Sequence, residues 1–130
     1  MAAVGGVAAG AGLVWPFIFS MFIPHAASCG EVMEFAGGHM PQQATDKKCV
    51  NEGAWLDRTY SAEFTMPREG VAARLREAFP RVDDGDCAGD LCLWSLRQSD
   101  KPAGQAAIVE LSVNYQSQNT ARVKLSAFNT

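Results

Sequence analysis

The chain has 130 residues, the size of one domain, and carries 11 Lys and Arg against 14 Asp and Glu, a net charge of −3. This acidic balance argues against a nucleic-acid-binding protein, which needs a basic surface. Hydrophobic residues make up 48% of the chain and charged residues 19%, so the chain is too apolar to be intrinsically disordered.

The first 30 residues contain no Asp, Glu, Lys or Arg. Residues 2–23 are all apolar, Gly, Pro or Ser, and as a helix they would extend about 33 Å, enough to cross a hydrocarbon core roughly 30 Å thick. We therefore expect an N-terminal apolar helix that contacts a membrane through residues 2–23. The alternative is a buried core helix, which a domain of this size has little room to cover on every side.

Two fates of this segment remain open. As a signal peptide, it would be cleaved before Cys29, after the small residues 26–28, and a lipid on Cys29 is a variant of this interpretation. As a retained anchor, it carries Gly6-x-x-x-Gly10, a spacing that lets a second helix approach closely and would allow a homo-oligomer. The first basic residue is Lys47, so a signal peptide would lack its basic start, and this favours retention.

Four cysteines follow the apolar segment and predict two disulfides in an oxidising compartment. Of the three connectivities, we expect Cys29–Cys49 and Cys87–Cys92, because this pairing closes the shortest loops. The spacing Cys87-x4-Cys92 differs from the Cys-x2-Cys of zinc ribbons and of thioredoxin-type redox sites. We predict no metal site and no cofactor.

Three regions follow from these features: residues 1–28 as transmembrane anchor or signal segment, 29–53 as an arm tied by the first disulfide, and 54–130 as an extracytoplasmic α+β domain. Within the arm, residues 31–36 predict a short helix that Gly37-Gly38 would end. A loop is expected over residues 39–46.

The domain begins with residues 59–66, in which polar and apolar side chains alternate, a pattern typical of a strand with one solvent-exposed face. An amphipathic helix comes next, with Pro67 as its first residue and Pro80 after its end. Its core face is predicted to consist of Val71, Ala72, Leu75, Ala78 and Phe79.

Three more alternating segments, 91–97, 107–116 and 121–127, are joined by short connectors and predict an antiparallel meander. In the first of them, the residues expected to face the core are Cys92, Trp94 and Leu96. The predicted fold class is therefore α+β: an N-terminal apolar helix, then a β-α-β-β-β domain with a mainly antiparallel sheet and one amphipathic covering helix.

Four aspartates within residues 83–90 suggest a cation site, but the EF-hand pattern fails because Ala88 and Ser95 occupy two ligand positions. We expect an acidic loop closed by a disulfide. Residues with charge or aromatic character on exposed segments are the candidate binding residues: Trp55, Asp83, Asp84, Asp86, Asp90, Glu110, Arg122 and Lys124. Glu110 is expected to pair with Arg122 or Lys124 across strands.

No familiar catalytic motif occurs in the chain, and neither His25 nor His39 stands near a plausible nucleophile, so we predict no catalytic residues. We expect a non-enzymatic protein of the cell envelope, tethered or exported, that serves as an accessory subunit of a membrane protein complex. One alternative is a small periplasmic or secreted inhibitor or immunity-type protein that binds one protein partner. Another is a small extracytoplasmic hydrolase that uses His39 or the loop acids.

Overall fold

The computed structural model describes residues 25–53, 58–95 and 105–129. In this part of the chain, seven strands form one antiparallel sheet and two helices pack with it, so the predicted mixed fold with a mainly antiparallel sheet is confirmed. The predicted N-terminal helix, Trp55 and Leu96 lie outside the described residues. Neither helix in the described ranges has the length and apolarity needed to span a membrane.

The strands and helices are, in chain order, β1 (His25–Ala26), α1 (Cys29–Ala36), β2 (Thr45–Asn51), β3 (Thr59–Pro67), α2 (Val71–Ala78), β4 (Asp83–Gly85), β5 (Leu91–Ser95), β6 (Ile108–Tyr115) and β7 (Thr120–Phe128). The sheet order is β1-β2-β3-β7-β6-β5-β4, and every neighbouring pair is antiparallel. The last strand therefore lies at the centre of the sheet, between β3 and β6.

One face of the sheet, here called the inner face, is apolar and packs against both helices. Its buried side chains are Tyr60, Ala62, Phe64, Met66, Leu93, Val109, Leu111, Val113, Ala121, Val123, Leu125 and Ala127. Of the residues predicted to face the core, Val71, Leu75 and Ala78 in α2 and Phe79 directly after it are buried, whereas Ala72 is only partly buried. Burying this much apolar surface is the main force that fixes the sheet against the helices.

Local sequence explains where α1 begins and ends. The Ser28 side chain accepts a hydrogen bond from the Glu31 backbone N–H across 3.0 Å, which satisfies one of the free donors of the first turn. Gly37 ends the helix in the left-handed region, at a φ of 77° that glycine adopts readily. The predicted short helix and its glycine stop are thus confirmed.

Four elements differ from the prediction. Strand β1 lies in the segment predicted as anchor or signal, β2 begins within the predicted loop 39–46, and β4 lies in the segment predicted as an acidic loop. These three strands are short or largely polar, so none of them shows a clear alternation of apolar residues. The helix α2 begins at Val71 rather than at Pro67, because Pro67 is the last residue of β3 and lies opposite Thr120 of β7.

The predicted face of β5 was wrong. Leu93 lies opposite Leu111 on the inner face, whereas Trp94 lies opposite Glu110 on the other face and is only half-buried. Cys92 shares the face of Trp94, although it is buried. Both alternating sets of this strand contain apolar residues, so its periodicity alone could not decide which set faces the core.

Both predicted disulfides are present. Cys29–Cys49 joins the first residue of α1 to β2, with the two Cα atoms 5.2 Å apart. Cys87–Cys92 closes the connection between β4 and β5, with a Cα separation of 5.9 Å. The two disulfides therefore lie near opposite edges of the sheet, Cys29–Cys49 near edge strand β1 and Cys87–Cys92 near edge strand β4.

Candidate functional site

The second face of the sheet, here called the outer face, is mainly polar. It carries Ser61, Glu63, Thr65, Cys92, Trp94, Glu110, Ser112, Asn114, Arg122, Lys124 and Ser126. Both described helices contribute to the core on the inner face, so the outer face is the broad surface that the described elements leave open. Sheets with one packed face and one polar face commonly show this alternation along each strand.

A shallow trough of about 340 Å³ crosses the outer face over β3, β7, β6 and β5. Its lining combines small side chains, Ser61, Ser112 and Ser126, with larger groups: Glu52, Glu63, Trp94, Glu110, Lys124 and the Cys87–Cys92 disulfide.

Arg122 is held within the protein by three hydrogen bonds. Its guanidinium donates to the Asp46 carbonyl across 2.9 Å and to Thr65 Oγ1 across 3.0 Å. A third contact, 3.3 Å long, pairs it with the Glu63 carboxylate. Arg122 and Glu63 therefore connect β7 to β3 and to the start of β2, and their charges offset each other.

Glu110 has different neighbours from those predicted. The register places it opposite Ser126 on β7 and Trp94 on β5, and Arg122 pairs with Glu63 instead. Within the described ranges, neither Glu110 nor Lys124 forms an ion pair. The predicted pairing of Glu110 with Arg122 or Lys124 is thus wrong, and Glu110 lines the trough without an ion-pair partner among the described residues.

The four aspartates of residues 83–90 do not converge. Asp84 pairs with Arg76 of α2, and the Asp90 carboxylate accepts a hydrogen bond from the Tyr115 N–H across 2.7 Å. Asp83 lies opposite Trp94, and Asp86 is exposed. No cluster of three side chains suited to bind a metal ion occurs among the described residues.

His39 lies on another surface. It lines an open cleft of about 510 Å³ together with Met33, Met40 and Pro80, at the ends of the two helices. Its backbone N–H donates to the Ala78 carbonyl across 3.0 Å. The lining of this cleft includes none of the loop aspartates, so His39 and those acids do not share a cavity.

Trp94 is the site residue that sequence reasoning missed, because the wrong face was assigned to β5. Its indole packs on Gly85 of β4 so closely that a methyl group at Gly85 would overlap ring atoms Cδ1, Cγ and Nε1. A glycine in a short strand often marks such a close approach, and this was the available signal. The structure thus brings Trp94 together with two predicted residues, Glu110 and Lys124, at one trough.

No protein-family model matches the chain, and no curated protein or solved structure matches it either.

Proposed function

We propose that this protein is a non-enzymatic component of the cell envelope, tethered by its N-terminal segment, that binds a protein partner on the outer face of its sheet. In this role it serves as an accessory subunit of a membrane protein complex. The observation that carries the proposal is the trough on the outer face, where a half-buried tryptophan stands among polar and charged side chains. Aromatic residues are enriched in protein interfaces, where they commonly serve as anchors.

The two disulfides support a location outside the cytoplasm, because thiols oxidise and remain oxidised in extracytoplasmic compartments. The uncharged segment 2–23 supports delivery to or across a membrane. Together these features fit a domain held at the surface of a membrane, where its outer face can meet a partner in the same compartment.

Retention of the N-terminal segment is supported by the contacts of residues 25–28. His25 and Ala26 pair with Asn51 and Val50, and the Ala27 N–H donates to the Cys49 carbonyl across 3.0 Å. Ser28 caps α1. Cleavage before Cys29 would remove β1 and this cap together, so the contacts favour an anchor over a signal peptide cleaved at that position.

Site-specific photo-crosslinking in intact cells tests this proposal. A crosslinking amino acid is placed at Ser112 or Ser126 in the trough, and in the control at Ala73, which is exposed on α2. We expect one discrete adduct from each trough position, recovered with the membrane fraction, and none from Ala73. Equal labelling from all three positions, or no adduct from the trough, would contradict the proposal.

The same experiment separates the tethered subunit from the inhibitor. A soluble inhibitor would give a trough adduct in the soluble extracytoplasmic fraction, on a chain that lacks the apolar segment. The membrane fraction and a full-length chain are the expected results for an accessory subunit.

A further inference from the structure

We propose that the Trp94 end of the trough receives a cationic side chain, Lys or Arg, from the partner protein. This inference rests on the proposed function and names the chemistry by which the outer face would recognise its partner. Three residues form one row across neighbouring strands: Trp94 on β5 lies opposite Asp83 on β4 and opposite Glu110 on β6.

The register places Trp94 between two residues that carry carboxylates, Asp83 and Glu110, and its indole lies over Gly85, two residues along β4 from Asp83. Directly opposed residues on one face of an antiparallel sheet have Cβ atoms about 4.5–5.5 Å apart. A single ammonium or guanidinium group can therefore contact the Trp94 ring and one of the flanking carboxylates, Asp83 or Glu110, at the same time. Cations bind over aromatic faces, tryptophan most strongly, and a carboxylate nearby adds a charge-assisted hydrogen bond.

The indole is held in place before any ligand arrives. Gly85 leaves no room between its Cα and the five-membered ring of Trp94, so the ring rests against the backbone of β4. The Cys87–Cys92 disulfide, which lines the same trough, closes the connection that joins β4 to β5. A ring fixed by its own protein loses little conformational freedom when a cation binds.

Charge complementarity points to a cation rather than to a neutral or anionic group. Among the described residues, the lining of the trough includes three carboxylates, Glu52, Glu63 and Glu110, and one ammonium, Lys124. Lys124 stands in the neighbouring row, opposite Glu63 and Ser112. Glu63 is already paired with Arg122, whereas Glu110 has no ion-pair partner among the described residues.

The test uses nuclear magnetic resonance of the nitrogen-15-labelled protein, with the indole Nε1–H signal of Trp94 as the readout. The probes are N-acetyl-arginine amide and its neutral isostere, N-acetyl-citrulline amide. We expect a saturable shift with the arginine probe and none with the citrulline probe. Equal shifts with both probes, or no saturable shift with arginine, would overturn the inference.

Variants locate the site. Glu110→Gln should weaken binding of the arginine probe at least about fivefold, a loss typical of a contact between a cation and a carboxylate. The matched control, Glu77→Gln on the exposed surface of α2, should leave binding unchanged. Gly85→Ala displaces the indole and should also weaken binding, while the dispersion of the other amide signals reports whether the fold is kept. Unchanged binding in Glu110→Gln would place the cation elsewhere and refute the assignment.

Failure of this inference and failure of the proposed function give different results. If Ser112 gives the crosslink in cells but the Trp94 indole signal does not shift with the arginine probe, the outer face binds its partner by other chemistry. If Trp94 binds arginine but the trough yields no crosslink in cells, the cation site is real and the proposed function is wrong.

Discussion

The hydroxyl of Tyr60, on β3, donates a hydrogen bond to the Glu31 carboxylate, in the first turn of α1, across 2.9 Å. The Tyr60 ring also meets the Phe35 ring edge-on, with 5.1 Å between the ring centroids. Helix α1 is thus fixed to the sheet by a polar contact, an aromatic contact and the Cys29–Cys49 disulfide. This combination explains how an eight-residue helix, too short to be stable alone, keeps a defined position.

The Tyr60 contact predicts a dependence of stability on alkaline pH. Burial raises the pKa of Tyr60 above its ordinary value of 10.0, and the hydrogen bond to Glu31 and the negative charge of Glu31 raise it further. The neutral phenol is therefore favoured in the folded state. Its contribution is complete below about pH 10, where the unfolded tyrosine is also neutral, and is lost as the pH rises through the folded pKa.

Urea unfolding at about pH 9 and about pH 11, on either side of the ordinary tyrosine pKa, measures this effect. The free energy of unfolding should fall more steeply between these two values in the wild type than in Tyr60→Phe. In Glu31→Gln, the fall should be smaller than in the wild type, because one cause of the raised pKa is gone. An identical fall in wild type and Tyr60→Phe would show that this phenol does not contribute.

Residues 25–28 should stabilise the domain. A chain that begins at Cys29 lacks β1 and the Ser28 cap, and we expect it to be less stable than a chain that begins at His25. Loss of the Ser28 cap alone should lower the free energy of unfolding by about 1 kcal/mol. Ser28→Ala in the longer chain isolates this part, and urea unfolding measures each difference. Equal free energies of unfolding for the two chains would show that residues 25–28 do not stabilise the domain.

The two disulfides should differ in their contributions. Cys29–Cys49 spans a sequence separation of 20 residues and Cys87–Cys92 one of 5. The chain-entropy model gives about 3 kcal/mol for the longer loop and about 2 kcal/mol for the shorter. The double variants Cys29→Ala/Cys49→Ala and Cys87→Ala/Cys92→Ala, compared by urea unfolding, should show this order, and the reverse order would refute the loop argument.

Arg122 should stabilise the junction of β2, β3 and β7. Arg122→Ala removes its contacts with the Asp46 carbonyl, Thr65 and Glu63, and we expect a loss of about 1 kcal/mol, since the ion pair is partly exposed. Amide exchange should accelerate over residues 45–48. Lys124→Ala, on the same strand, is the control and should leave exchange there unchanged. Equal exchange in both variants would contradict the proposed role of Arg122.

Sequence reasoning succeeded where one physical signal was strong. The alternation of residues 59–66 and the helical spacing of Val71, Leu75 and Ala78 were sufficient to place β3 and the face of α2. The cysteine pairing followed because short loops close most easily. In each case the local pattern and the tertiary environment agreed, so no knowledge of the partner strands was needed.

The prediction errors arose where the pairing with neighbouring strands, and not the local sequence, determines the structure. In β5, both alternating sets are partly apolar, and only the pairing of Leu93 with Leu111 fixes which set is buried. Glu110 was matched with the wrong partner because the register between β6 and β7 determines which residues are opposite. The composition of the trough follows from the face of β5 and from the register between β6 and β7. Its residues could therefore be predicted one by one, but not as a single surface.

The intact mass of the native protein from its own cells, after alkylation under non-reducing conditions and separation of membrane from soluble fractions, tests whether the protein is a tethered, disulfide-bonded domain. We expect a chain in the membrane fraction that keeps residues 2–23 and carries no alkyl group on any of its four cysteines. A full-length chain in the cytosol with four alkylated cysteines would contradict it.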